Sequence, residues 1–168
     1  MSTAIAGLSA GPTVGIGQIA ASDQLDLFIS ALGLGSCIGV VVVDARAHIA
    51  GMAHVMLPQS APTSKGPPGK FADTAIPALL DSVLALGADR ARLVATISGG
   101  AQMFGAGSGA GLFNIGGRND EAVRTALSDA RIRLRAHDVG GSCGRTMQVG
   151  VSSGTVTVRV VGGGAVEL

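Results

Sequence analysis

At 168 residues with a formal net charge of +1, the chain is long enough for one domain with a sizeable buried core. It has no Trp, no Tyr and four Phe, so the core must come from smaller apolar residues, which suits a sheet packed against helices. Balanced charge without a basic, aromatic-bearing stripe argues against nucleic-acid binding. No stretch approaches the roughly 18 apolar residues that cross a bilayer, and nothing resembles an export signal, so neither membrane insertion nor secretion is expected. We therefore expect a cytoplasmic protein.

The two cysteines, Cys37 and Cys143, are expected to be reduced thiols in a chain without an export signal. One disulfide between them, with a redox role, stays open as an alternative. Two Cys and three His at wide spacings do not match a zinc site, so no metal is expected.

The first part of the chain predicts a leader followed by strands. Residues 1–13 are small and polar and are expected to be flexible, which leaves 14–168 as a single domain. A short strand is predicted at 14–20. The nearly continuous apolar run at 37–43 is typical of a strand buried on both faces, and 47–57 is its predicted hairpin partner.

Helices and strands alternate in the rest of the chain. A proline-rich loop at 58–70, either a binding loop or an idle connection, precedes a helix capped by Asp73 or Thr74. Asn119 is predicted to cap a second helix. Further strands are predicted at 93–97, 131–137 (an edge strand or solvated face), 146–151 and 155–161. This order predicts an α/β domain with a mixed, mainly antiparallel sheet.

The predicted hairpin brings a cysteine and a histidine together. If its loop is centred between Ala45 and Arg46, Cys37 lies opposite His54, with Cβ atoms about 4.5–5.5 Å apart. A thiol and an imidazole at that separation can share a proton, which makes a cysteine nucleophilic near neutral pH. An activated Cys37 is then expected to react well below the usual thiol pKa of about 8.5.

Simpler interpretations stand beside this one. A cysteine in an apolar run is commonly part of the core, and a histidine in a strand is commonly structural. Gly33 and Gly35 suit either a backbone oxyanion site or a plain tight turn. The glycine-dense residues 98–117 lack the order of a phosphate-binding loop, so they predict close backbone approach rather than a nucleotide site.

Several motifs in order resemble one known family. LGLGSC, GMAHVMLP, KFADTAIPALL, GGAQMF, NIGGRN and DVGG followed by GR are similar to the chemoreceptor glutamine deamidases called CheD, from about residue 14 to residue 160. The resemblance implies a three-layer α/β fold shared with some deamidating toxins. It implies hydrolysis of glutamine side chains in methyl-accepting chemotaxis receptors, with release of ammonia and no cofactor. It also implies binding to the chemotaxis phosphatase CheC, which competes with the receptors.

Carried over by position, the resemblance makes Cys37 the nucleophile and His54 the general base. The family's third residue is a threonine, but Ala31 stands at that position here, and Ser30 beside it is expected to face the opposite way. Another group must then orient the imidazole, or activity is reduced. A second hypothesis follows, in which the chain is a catalytically weakened adaptor that binds a CheC-type phosphatase and receptors.

Further residues near these motifs are candidates for contact with substrate or partner. They are Ser36, Gly99, Gly100, Gln102 and Phe104. A purely structural glycine turn accounts equally well for Gly99 and Gly100.

Overall fold

The computed structural model describes residues 5–103 and 114–168, which form ten strands and two long helices. The strands are β1 Ser9–Thr13, β2 Ile19–Ser22, β3 Leu27–Leu34, β4 Ile38–Asp44, β5 Ile49–Val55, β6 Val94–Gly99, β7 Arg133–Val139, β8 Arg145–Gly150, β9 Val156–Val160 and β10 Ala165–Glu167. The helices are α1 Ala72–Ala85 and α2 Ile115–Asp129.

The strands form two five-stranded sheets. The first has the order β1-β3-β8-β9-β10 and the second β2-β5-β4-β6-β7. Among the strand pairs that the structure describes, β1–β3 and β6–β7 are parallel and the others are antiparallel. The prediction of a mixed, mainly antiparallel α/β fold is confirmed, although the strands divide between two sheets, and β7 is an edge strand as predicted.

Strand β4 separates two cores because its apolar side chains alternate between its faces. Val41 and Val43 pack between the two sheets, whereas Val40 and Val42 pack towards the helices. The domain therefore has three layers, with a sheet, a second sheet and a helical layer in that order.

The helical layer packs on β4 and β5 through a buried stripe on α1. The predicted caps differ from the observed ones: Phe71 precedes α1 without a side-chain cap, although Asp73 or Thr74 was expected there. Asn114 caps α2 by accepting a hydrogen bond from the Gly117 N–H at 2.9 Å, so the predicted cap, Asn119, lies inside the helix.

The segment expected to be a flexible leader contains a strand. Ser9–Thr13 pairs in parallel with β3, and Ile5 is buried. The segment is short and contains glycine, so its composition alone does not predict a strand. Pairing with β3 nevertheless places it in the sheet. The folded part of the chain therefore begins before residue 14.

No helix among residues 5–103 and 114–168 is long and apolar enough to span a membrane.

Candidate active site

The β4–β5 hairpin has a longer loop than the sequence suggested. His54 pairs with Gly39, and Asp44 pairs with Ile49, so residues 45–48 form the loop. The carboxylate of Asp44 accepts hydrogen bonds from the N–H groups of the loop at 3.2 Å, and His48 adopts a φ of 54°. The predicted direct opposition of Cys37 and His54 is therefore wrong by two residues. A two-residue shift keeps His54 on the same face, because side chains alternate with a period of two.

Cys37 and His54 nevertheless occupy the same layer. Cys37 lies just before β4 and packs in the core between the sheets, together with Ala31 and Met147. His54 faces this layer because its neighbour two positions away, Met52, packs there as well. Their side chains are 8 % and 2 % exposed, and both lie where β4 begins and β5 ends.

A backbone carbonyl orients the imidazole. His54 Nδ1 lies 3.1 Å from the carbonyl oxygen of Val14, so Nδ1 carries the proton and donates it. The Gly17 N–H donates to the His54 carbonyl at 2.8 Å, and the His54 N–H donates to the Gln18 carbonyl at 3.1 Å. Residues 14–18 therefore hold both the ring and the backbone of His54.

The second ring nitrogen of His54 is available to accept a proton. Nε2 is buried and has no hydrogen-bond partner among the described residues, so it is not bonded to the Cys37 thiol in this conformation. Hydrogen bonds between catalytic groups commonly tighten only when substrate binds. The arrangement therefore offers an unprotonated base in the same layer as a thiol.

Burial keeps both groups uncharged. Desolvation raises the pKa of the Cys37 thiol above its ordinary value. Desolvation also lowers the pKa of His54, and the hydrogen bond to Val14 opposes this only in part. The site at rest therefore holds a neutral thiol and a neutral imidazole near pH 7. Reaction of Cys37 well below the usual thiol pKa stays a prediction.

Ala31 lies in the layer that holds Cys37 and His54. It is fully buried there and pairs with Met147 of β8. Ser30 points to the other face of the sheet, as its position in the strand predicted, and its hydroxyl lies 3.3 Å from that of Thr13. Because Ala31 offers no polar side-chain atom, the Val14 carbonyl is the group that orients His54.

Two glycines after β6 support the turn that carries the cysteine. The Gly100 N–H donates to the Cys37 carbonyl at 2.8 Å. Gly99 has a φ of +115°, and a Cβ on it would collide with the same carbonyl oxygen. Close backbone approach therefore explains why glycine is needed at position 99.

The remaining predicted contact residues lie around this turn or beyond it. Ser36 is half-buried in the turn, and Gln102 is exposed, with its N–H donating to the Gly141 carbonyl at 2.8 Å. Phe104 lies outside the described residues. Contact of Ser36, Gly99, Gly100 and Gln102 with substrate or partner stays a prediction.

The structure adds two polar residues that the sequence did not single out for the site. Ser98 of β6 pairs with Gly39, and its buried hydroxyl has no partner among the described residues. Asn119 is fully buried and bonds to the turn that carries Cys37. An asparagine inside a helix is a weak helix former, and this is the signal in the sequence that could have indicated a special role.

Other features lie apart from this site. Cys37 is buried, Cys143 is exposed, and both are free, so the disulfide alternative has no support here. A cavity of about 670 Å³ lies between α1 and α2, lined in part by Leu80, Asp81 and Glu121, and none of its lining residues belongs to the site. The described residues include no cluster of three His, Cys, Asp or Glu side chains that could hold a metal ion.

Comparisons with known proteins identify one family repeatedly. The family model described as CheD chemotactic sensory transduction matches residues 56–160. A protein of Symbiobacterium thermophilum, named probable chemoreceptor glutamine deamidase CheD, is 42 % identical over 157 residues, which cover 92 % of this chain and 95 % of that protein.

Two further relatives show the same pattern. The protein of Thermotoga maritima named chemoreceptor glutamine deamidase CheD is 43 % identical, over 90 % of this chain and 92 % of its own length. One from Clostridium botulinum strain Eklund 17B, with the name probable chemoreceptor glutamine deamidase CheD, is 45 % identical over 83 % of this chain and 87 % of its own.

Proposed function

Because the chain belongs to the CheD family, we propose that it is a cysteine-dependent protein-glutamine deamidase that acts on methyl-accepting chemotaxis receptors. The observation that carries this proposal is the arrangement of His54. Its Nδ1–H is bound to the Val14 carbonyl, and its Nε2 is left unprotonated in the layer that also holds Cys37.

The neutral resting state indicates how the nucleophile is generated. As the Cys37 sulfur attacks the side-chain carbonyl carbon of a receptor glutamine, the thiol proton moves to His54 Nε2. The carbonyl electron pair moves to oxygen, and a backbone N–H of the turn stabilises this oxyanion. Collapse of the intermediate breaks the C–N bond, and the imidazolium donates its proton to the departing ammonia.

Hydrolysis then restores the enzyme. His54 takes a proton from water, the oxygen of that water attacks the thioester carbon, and the second intermediate releases glutamate and the Cys37 thiol. One amide and one water become one carboxyl group and one ammonia. In this cycle every proton moves between Cys37, His54, the substrate and water, and no cofactor takes part.

Replacement of the nucleophile tests the proposal. Cys37→Ala is expected to abolish ammonia release from a purified receptor fragment, because no other group of the site can form the thioester. Intact mass spectrometry of the fragment should show about one dalton gained per converted amide with the unaltered chain and none with the variant. Cys143→Ala, which removes the exposed cysteine instead, is the matched control and should retain full activity. Unchanged conversion by Cys37→Ala would rule out the cysteine mechanism.

Ala31 favours a second candidate function. With no hydroxyl at this buried position, the chain could serve chiefly as an adaptor that binds a CheC-type phosphatase and receptors while turning over substrate slowly. The adaptor hypothesis predicts weak deamidation by the unaltered chain together with tight phosphatase binding. Robust turnover would reject it.

Ala31→Thr separates the two candidates. A threonine hydroxyl at this position would enter the layer of His54, so the adaptor hypothesis predicts a gain in turnover. If the Val14 carbonyl already orients the ring, turnover should stay the same. In either case stability should fall by about 1–3 kcal/mol, because Ala31 is fully buried and the added atoms must fit into a packed core. Steady-state kinetics and urea unfolding measure the two effects separately.

A further inference from the structure

Asn119 joins the two segments that carry the proposed catalytic pair. Its Nδ2 donates to the Ser36 carbonyl at 2.9 Å and to the Met56 carbonyl at 2.9 Å. Ser36 directly precedes Cys37, and Met56 comes two residues after His54. One fully buried amide group from α2 therefore binds the beginning of one site strand and the end of the other.

Peptide geometry turns this contact into control of a catalytic group. The Ser36 carbonyl and the Cys37 N–H belong to one planar trans peptide, so they point in opposite directions. A donor that fixes the carbonyl also fixes the direction of the N–H. No backbone carbonyl among the described residues accepts a hydrogen bond from that N–H.

The neighbouring carbonyls of the turn are held as well. The Gly35 carbonyl accepts from the Ala101 N–H at 2.8 Å, and the Cys37 carbonyl accepts from the Gly100 N–H at 2.8 Å. Within the described part of the chain, the carbonyls of Gly35 and Cys37 accept from backbone N–H groups, and the Ser36 carbonyl between them accepts from the side chain of Asn119. The turn is thus fixed on its carbonyl groups, while the Cys37 N–H is left for another acceptor.

The two hydrogen bonds of Asn119 stabilise the turn, but an asparagine at this position also carries two costs. Its Oδ1 is buried without a partner among the described residues, and a buried acceptor left unpaired costs about 1–3 kcal/mol. Asparagine is also unfavourable inside a helix. Both costs oppose the stability gained from the two hydrogen bonds.

We propose that Asn119 is a positioning residue that orients the Cys37 N–H towards the oxyanion formed during glutamine hydrolysis, an inference that rests on the proposed function. The N–H donates to the developing charge only if the peptide is already fixed. Loss of one such donor lowers turnover about 100-fold to 1000-fold in well-studied hydrolases.

Asn119→Leu tests this role because it removes both donors and keeps a similar volume. In a Cys143→Ser background, two reactions of Cys37 are compared. Deamidation of a receptor fragment requires both the nucleophile and the oxyanion donor. Alkylation by iodoacetamide requires only the nucleophile, because no oxyanion forms in that displacement.

We expect kcat for deamidation to fall about 100-fold, with KM and the alkylation rate almost unchanged. Val123→Ala is the matched control, since Val123 is fully buried one turn further along α2, has no polar side-chain atom that could bond the turn, and its truncation destabilises the same helix. This control should keep its kcat despite a lower melting temperature. Should Asn119→Leu not fold, Asn119→Ala, which also has no side-chain donor, enters the same comparison with the same expected result.

Two outcomes would overturn the inference. One is a kcat for the Asn119 variant close to that of Val123→Ala. The other is a parallel fall in deamidation and alkylation, which would indicate a general collapse of the site. Full activity of Cys37→Ala would instead refute the proposed cysteine mechanism itself, so the two failures are distinguishable.

Discussion

His54 shows how the environment of one residue can set both its chemistry and its contribution to stability. Burial disfavours the imidazolium form, and the Val14 carbonyl selects the tautomer whose lone pair is on Nε2. The same burial raises the pKa of the Cys37 thiol. Both shifts favour a proton transfer that accompanies attack on substrate over a preformed ion pair.

The lowered pKa of His54 predicts loss of stability in mild acid. Below the unfolded-state pKa of about 6.5, the unfolded chain binds a proton that the folded chain does not yet accept. The free energy of unfolding should therefore fall as the pH drops from 7.5 towards 5.5, by at most about 1.4 kcal/mol per pH unit for this one group. Urea unfolding at several pH values measures the slope. A slope in His54→Asn equal to that of the unaltered chain would contradict the assignment.

Three strands and one helix bring Cys37, His54 and Asn119 close together. The end of β5, the beginning of β4, the end of β6 and the N-terminal part of α2 meet at the same edge of the second sheet. Gly99 is the position at which this convergence is tightest, since its missing Cβ lets β6 pass beside the Cys37 carbonyl.

Gly99→Ala should therefore abolish activity and strongly reduce stability. An added Cβ would have to displace the Cys37 carbonyl, in addition to the strain of a positive φ. Gly87→Ala is the control, because Gly87 also has a positive φ, of +102°, but no atom lies within 4 Å of the added Cβ. We expect this control to lose about 1 kcal/mol and to retain activity. Thermal unfolding and ammonia release measure both variants, and equal activity of the two would contradict the steric argument.

The elements also show where the sequence was informative. Periodicity located β4, β5, α1 and β7 to within a few residues, because their apolar faces are long and regular. It could not set the hairpin register, since that depends on how the Asp44 carboxylate bonds the loop N–H groups. It also misplaced the cap of α2, where Asn114 and Asn119 are both capping residue types and only tertiary contacts distinguish them.

At the scale of the whole molecule, the division of the strands into two sheets could not be predicted from the sequence. Strands at the positions of β8 and β9 were predicted, but their membership of a separate sheet follows from the pairing of β8 with β3, which is remote in sequence. Cys37 and His54 were identified from the sequence as the candidate pair. Cys37 packs between the sheets, and His54 faces the same core because it alternates with Met52 along β5. The group that orients His54 could not be predicted, because a backbone carbonyl leaves no mark in the sequence.

Deletion of residues 1–13 tests the importance of the N-terminal segment. Because this removes β1 and the buried Ile5, we expect a loss of at least about 1.5–3 kcal/mol from Ile5 burial alone. Activity should fall too, since Val14, whose N–H donates to the Ser30 carbonyl at 2.7 Å, would become the chain terminus. Circular dichroism melting and ammonia release report the two effects. Unaltered values for both would contradict a structural role of this segment and would favour the expected flexible leader.

The carbonyl that orients His54 belongs to the crossover between the two sheets, because Val14 directly follows β1 of one sheet and residues 14–18 lead into β2 of the other. The orientation of the imidazole therefore depends on the distance between the two sheets. We expect a bulkier side chain in the core between the sheets to change the orientation of the ring when it displaces the Val14 carbonyl. We therefore expect fewer substitutions in that core to preserve turnover than to preserve folding.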